Sequence, residues 1–386
     1  MSSALANIRS RYHTLGQNID NLANLAALKQ THELTAEIIR FLDAASLVGM
    51  SGKEMVEFFD LFVKQIASKL SPLSLVKIIG RCVSATDVDS ASALALVAAH
   101  ETDLTKSKDA TILSKVLIAD IHMKKDRNLD DARTVIDSVV ETLQDPIYAH
   151  TVSGSARGQF HLAASELYMS LGNDFEFYCH VVSFLTYTPL NEIPPVTLAT
   201  TTKQAAVIAL IHPEINDFGE SLALPAFAVN NTSWFVDFLR AIHFGNFDAF
   251  DSAIKMHAIE LQSEIALMAK IDTSLRRKLT MIALAELSGF VAPEKNRRLS
   301  FQQISAHCRV GINEVEELVM TTMGSGKLIN GVIDQVDSTV LITSVKPRVL
   351  DRDRIVLLKS RIESWANRTE SLVTGLKDLT PELLIA

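Results

Sequence analysis

The stretch Leu299–Val345, LSFQQISAHCRVGINEVEELVMTTMGSGKLINGVIDQVDSTVLITSV, decides the fold of the carboxy-terminal third. Ser300-Phe301-Gln302-Gln303 has the Ser-x-x-Gln form of a capping box, in which the Ser hydroxyl and the Gln side chain each satisfy a backbone N–H at a helix start. The helix it opens runs to about Cys308, with Phe301, Ile304 and Cys308 inward. A tight turn follows at Arg309-Val310-Gly311. Asn313 then reads as the cap of the next helix, with Glu316 three residues on. Ile312, Val315, Leu318, Val319 and Met323 form its apolar stripe, and Gly324 and Gly326 end it. Two β-branched segments, Leu328–Ile333 and Val340–Val345, flank a polar turn at Asp337-Ser338 and read as a hairpin. Helix, turn, helix and hairpin follow in the order of a winged helix. That motif is shared by many unrelated activities and does not define one.

Upstream, residues 1 to about 270 read as successive amphipathic helices. Leu129–Leu143 places Ala132, Val135, Ile136, Val139 and Leu143 at helical spacing. Met55–Leu70 carries Phe58, Phe59, Phe62, Val63 and Ile66 on one broad face. The links Val48–Lys53, Ser71–Ser74 and Ala85–Ser90 are short, which makes neighbouring helices antiparallel. Phe160–Leu185 reads as a hairpin broken at Leu171-Gly172-Asn173, with Gly172 as the helix stop. No strict repeat period is present. The pattern fits an irregular tetratricopeptide-like solenoid and equally a globular all-α domain. Thr188–Pro195 and Ile211–Pro225, both Pro-bearing, punctuate the array. Asp272–Phe290 is a further helix, with Leu275, Leu279, Ile282, Ala283 and Leu287 inward and Gly289 and Pro293 at its end.

Downstream of Pro347 one long helix runs to about Leu379. Ile355, Leu358, Ile362, Trp365, Leu372, Leu376 and Leu379 recur at alternating spacings of three and four, a heptad seam interrupted only by Thr369. Burying each seam residue is worth about 1.5–3 kcal/mol. Either the helix folds back on its own domain, or it meets a helix of another chain. Its length favours the second arrangement, since an isolated helix is marginal in water.

The chain has 386 residues, 48% of them hydrophobic, and a net charge of −8. That mildly acidic balance argues against general nucleic-acid binding. The would-be recognition helix carries Glu314, Glu316 and Glu317 and no Lys or Arg, so phosphate would be repelled and guanine readout has no candidate on it. Lys295, Arg297 and Arg298 form a small basic cluster upstream, read as a solvated loop. Cys82, Cys179 and Cys308 are too scattered for a disulfide framework or a CxxC metal site, and they suit a reducing compartment. None of the 11 histidines has metal-ligand spacing. Gly324-Ser325-Gly326-Lys327 lacks the first Gly of a P-loop and follows a helix rather than a strand. There is no GxSxG elbow. The residues therefore point to no catalytic, cofactor-binding or metal site. No secretory signal or membrane span is expected, and the chain reads as soluble and intracellular.

Several segments resemble one family. Leu299-Ser300-Phe301 through Ile304, Asn313-Glu314-Val315-Glu316 with Leu318-Val319-Met320, Ile333–Asp337 and Lys346–Asp351 are similar to the family of 26S proteasome non-ATPase regulatory subunit thirteen, PCI-domain subunits of the regulatory-particle lid. So are Ser71–Val76, Asn216–Glu220 and the stretch Trp234–Phe250 with its Gly245-Asn246. The resemblance implies a mainly α chain in four parts: a helical-repeat arm over 1–190, the helical part of a PCI module over 191–292, a winged helix over 293–349, and a carboxy-terminal heptad helix over 350–386. It implies a non-catalytic role in lid assembly and ubiquitin-dependent degradation, in the cytoplasm and nucleus, with no cofactor. The implied partners are other PCI-domain lid subunits and the deubiquitinating subunit pair, met through a helical bundle, and a nearby ubiquitin receptor, with neither nucleic acid nor membrane. A PCI subunit of the signalosome or of a translation initiation factor is the sister reading, and a nucleic-acid-binding winged-helix adaptor stands behind both.

Overall fold

The computed structural model describes residues 21–22, 24–25, 31–48, 51–85, 87–145, 151–229, 233–263, 271–290, 298–324, 327–346, 348 and 352–379. The protein is mainly α, with one small sheet, and divides into two compact units, Met1–Thr197 and Leu198–Ala386.

The first unit is a run of helices: α1 (Thr31–Val48), α2 (Gly52–Leu61), α3 (Pro72–Val83), α4 (Ser90–Ala99), α5 (Glu101–Leu104), α6 (Lys108–Ile121), α7 (Leu129–Gln144), α8 (Gly154–Leu171) and α9 (Asp174–Tyr187). Each start has a local cause. Pro72 occupies the first turn of α3, and Ser71 Oγ accepts from the Ser74 N–H. Asn128, Ser153 and Asn173 cap α7, α8 and α9 in the same way. Gly172 takes the left-handed conformation (φ +71°) that ends α8. α6 packs on α7, α8 on α9, and α8 also on α6, so successive hairpins stack on their neighbours. Lys125 links across the stack, donating to the carbonyls of Ala85 (3.1 Å) and Val88 (2.7 Å).

The apolar face read for Met55–Leu70 is buried throughout, but not as one helix. Phe58, Phe59, Phe62 and Val63 are fully buried, and Phe62 stacks on Phe58 at 5.4 Å. α2 ends at Leu61, and two 3-10 turns, Val63–Gln65 and Ala67–Lys69, complete the segment. Such tightening is usual where a helix runs into a stop, here Ser71-Pro72.

The second unit begins within α10 (Pro195–Ile211) and continues with the short helices α11 (Gly219–Ala223) and α12 (Pro225–Val229). The hairpin of α13 (Trp234–His243) and α14 (Phe247–Met256), α15 (Ala258–Ser263) and α16 (Arg276–Phe290) follow. The first turn of the segment read as Asp272–Phe290 is a π turn, Ile271–Leu275, ahead of α16. Leu275, Leu279, Ile282, Ala283 and Leu287 are all buried.

Around α16 stand β1 (Arg298–Ser300), α17 (Phe301–Cys308), α18 (Val315–Gly324), β2 (Ile329–Asp334) and β3 (Thr339–Val345). The sheet is antiparallel in the order β1-β3-β2, with Leu299 opposite Val340 and Val332 opposite Leu341. This is the order and sheet of a winged helix. The capping box at Ser300 and Gln303 is present, and Phe301, Ile304 and Cys308 are buried. Three details differ from the sequence reading. The second helix opens at Gly311, not Asn313: Glu314, not Glu316, turns back to accept the Gly311 N–H (3.1 Å), and a 3-10 turn Ile312–Glu314 leads into α18. Gly needs no side chain to serve there, because the carboxylate supplies the capping bond. Ile312, read as core, sits in that turn and is 54% exposed. Strand β1 was not expected; three residues are too few to show alternation.

Candidate partner interface: the terminal helix and its mount

The last described element is α19 (Arg352–Leu379), 28 residues long. Its seam faces solvent. Ile355 is 53% exposed, Leu358 43%, Ile362 54%, Trp365 66%, Leu372 68% and Leu376 60%. The Leu379 side chain lies outside the described residues. A row of large apolar side chains at this exposure is unusual for a finished surface. Fold-back of the seam onto the chain's own domain is not what this arrangement has.

The mount beneath α19 is built from α13 and α16. Arg348, just ahead of the helix, is buried and forks between two partners. One guanidinium nitrogen donates to the Glu286 carboxylate of α16. The other donates to His243 twice, to the ring Nδ1 at 2.9 Å and to the carbonyl at 3.0 Å. His243 Nδ1 therefore accepts, which fixes the neutral ring with its proton on Nε2. Further along, Arg361 of α19 donates from both terminal nitrogens to the Gly289 carbonyl at 3.3 Å, covering an acceptor in the last turn of α16.

α13 and α16 meet closely because of Gly245. It turns the α13–α14 corner at φ +64°, and a Cβ there would stand 2.8 Å from the Ala283 Cα. Only Gly fits both conditions. Asn246 then caps α14, accepting from the N–H groups of Asp248 and Ala249. At the other end of α16, the buried Lys278 donates to the carbonyls of Ala209 (2.7 Å) and His212 (2.8 Å) at the end of α10. Its Nζ lies 5.0 Å from the centre of the Phe218 ring. Burial pushes this ammonium down to about 7.

The β2–β3 hairpin and α18 carry a second apolar surface. Val332 and Leu341, paired across β2 and β3, are 60% and 38% exposed, and Met320 on α18 is 57% exposed. Glu314 and Glu317 are exposed at the start of α18, and Glu317 faces Arg277 at 3.8 Å. Of the basic cluster, Lys295 and Arg297 lie outside the described residues, while Arg298 is on β1, 4.0 Å from Asp337. Among the described residues there is no group of three or more His, Cys, Asp and Glu side chains placed to hold a metal ion. No helix among them is long and apolar enough to cross a membrane.

The heptad spacing of α19 is legible in the sequence; the mount is not. Arg348, Glu286 and His243 are separated by 62 and 105 positions from one another's partners, and no local spacing joins them. The available signal was an Arg immediately ahead of a long helix, in a segment rich in charge.

Comparison with known proteins places the chain. A family model described as PSD13 N-terminal repeats matches residues 19–239. The chain is 27% identical over 376 residues to 26S proteasome non-ATPase regulatory subunit 13 of Dictyostelium discoideum, covering 96% of this chain and 95% of that protein. It is 28% identical over 359 residues to 26S proteasome regulatory subunit RPN9 of Saccharomyces cerevisiae, covering 88% and 87%. A partial match, 25% identical, joins 57% of the chain to 46% of eukaryotic translation initiation factor 3 subunit M of Neosartorya fischeri. With more than half its length matched by the family model and nearly all of it aligned to full-length relatives, the chain belongs to the family of 26S proteasome non-ATPase regulatory subunit 13.

Proposed function

We propose that this chain is a non-catalytic structural subunit of the proteasome regulatory-particle lid, working in ubiquitin-dependent degradation in the cytoplasm and nucleus. In this reading 1–190 is a helical-repeat arm, 191–292 the helical part of a PCI module, and 293–349 its winged helix. The helix over 350–386 joins a bundle with helices of other subunits. Its partners are other PCI-domain lid subunits and the deubiquitinating subunit pair, with a ubiquitin receptor nearby. The observation that carries the reading is the seam of α19, where six large apolar residues are 43–68% exposed on a helix held to its own unit at its base. What supports the choice of complex is the relation to proteasome regulatory subunits over almost the whole chain.

A second reading, a scaffold subunit of a translation initiation factor, has the partial match to subunit M in its favour. Affinity capture of the full chain under native conditions, followed by mass spectrometry, separates the two by partner identity. The lid reading expects proteasome lid proteins in stoichiometric yield, and their loss from a W365E/L372E variant that still folds. Capture of initiation-factor subunits instead, or undiminished lid capture by the variant, would overturn it.

A further inference from the structure

The hairpin of α8 and α9 brings two histidines together. His161 stands on α8 and His180 on α9, and their Nδ1 atoms are 2.9 Å apart. Local features fix that register. Ser153 and Asn173 cap the two helices, and Gly172 turns the corner between them. Aromatic rings then hold the planes of the imidazoles. Tyr187 lies over His161, 7° from parallel, and Tyr168 over His180, 8° from parallel. Phe160 meets both imidazoles in T-shaped contacts, at 5.1 and 6.0 Å. Both histidines are half-buried, so water reaches the pair. The neighbouring cation, Arg157, is turned to Tyr187, donating to its hydroxyl at 3.3 Å and lying 5.3 Å from its ring centre.

Imidazole nitrogens bind a transition metal at about 2.0–2.1 Å. Two such bonds from nitrogens 2.9 Å apart enclose an angle of about 90°. Tetrahedral ligands at the same bond length would stand about 3.3 Å apart. Zinc(II) takes the tetrahedral arrangement, whereas copper(II) and nickel(II) take nitrogen ligands at right angles.

We infer that His161 and His180 form a binding site for a divalent metal ion of square-planar preference, nickel(II) or copper(II), held between their Nδ1 atoms with water at its other positions. The ring that carries its proton on Nδ1 carries it on Nε2 instead when the ion binds. Both Nδ1 lone pairs then face the metal, and no net proton is released. Among the described residues no third His, Cys, Asp or Glu side chain completes a cluster here. The site is therefore an open clasp across the hairpin rather than a closed structural centre. An ion in it ties α8 to α9 and stabilises the folded hairpin by mass action. The two ligands lie 19 positions apart on either side of a helix corner, which is why no ligand motif shows in the sequence.

The test uses the full chain without an affinity tag, titrated separately with nickel, copper and zinc chloride by calorimetry. One equivalent of nickel or copper should bind at least about tenfold more tightly than to H161F/H180F, and more tightly than zinc binds to the wild-type chain. Whichever of the first two binds tighter names the preferred ion. Electron paramagnetic resonance of the wild-type chain with one equivalent of copper(II) should show coupling to two imidazole nitrogens, a readout that holds even if the double variant fails to fold. Equal affinity in a folded H161F/H180F variant would assign the ion to other histidines and overturn the inference. So would tighter binding of zinc, coupling to fewer than two nitrogens, or no binding.

Discussion

His161 Nδ1 lies 2.9 Å from His180 Nδ1, across the hairpin of α8 and α9. Two like nitrogens bond at that distance only if one carries the proton and the other a lone pair. Tyr187 stacks on His161 at 5.7 Å and Tyr168 on His180 at 5.2 Å, so the pair sits between two phenol rings. Burial first, and for His161 also the neighbouring His180 and Arg157, push both imidazoles down to about 4. A base whose folded pKa is depressed stabilises the fold above its unfolded value near 6.5 and loses that contribution as pH falls toward 4. The first unit should therefore lose stability between about pH 6.5 and 4. In thermal melts at stepped pH, an H161F/H180F variant, which keeps ring stacking, should show a flatter dependence over that window. An unchanged slope would assign the acid sensitivity elsewhere.

Arg348 and Glu286 form a buried ion pair with side-chain exposures of 7% and 13%. Removing Arg348 takes a buried cation from beside the Glu286 carboxylate and from the His243 ring and carbonyl. Arg348→Met should cost about 3–5 kcal/mol in urea unfolding, and the E286Q/R348M double variant, compared with both single variants, should recover much of it. Additive losses in that cycle would mean that the two side chains do not act as a pair.

Gly245→Ala combines a left-handed backbone with a Cβ 2.8 Å from the Ala283 Cα. The two effects together should destabilise the second unit by about 2–5 kcal/mol. Gly172→Ala is the control. It shares the positive φ, but a Cβ there meets nothing within 4 Å, so only the smaller conformational cost of about 1 kcal/mol should appear. Similar losses at the two sites would argue against tight packing of the α13–α14 corner on α16.

Lys278 gives a pH dependence at the other end of the scale. Its ammonium is pushed down to about 7 by burial, from 10.5 for a free lysine. Between those values the folded chain holds fewer protons than the unfolded chain, so stability from this group rises with pH from about 7 to 10.5. Relative to Lys278→Met, the wild-type chain should gain stability across that range. If the difference between the two stays constant with pH, the cation–carbonyl contacts of Lys278 hold it charged throughout.

Much of this architecture is written locally. Ser300 with Gln303, Gly172 with Asn173 and the spacing from Ile355 to Leu376 each involve residues a turn or two apart, where caps and periodicity act. Spacing alone does not place the start of α18, because Asn313 and Gly311 both suit a helix start and the choice depends on which glutamate folds back. Strand β1 exists only through its pairing with β3. The Arg348 cluster and the carbonyl bonds of Lys278 join elements more than 60 residues apart, a distance at which no spacing rule operates. The terminal helix is legible for the same reason, since its seam answers to a period.

The exposed seam also bears on supply. A copy synthesised without its companions presents Trp365, Leu372 and Leu376 to the solvent, the kind of surface that chaperones and quality-control proteases engage. Companions that cover it withdraw the signal and, by mass action, stabilise the folded chain. Under the docking role proposed above, copies in excess of their companions are the ones left open to clearance.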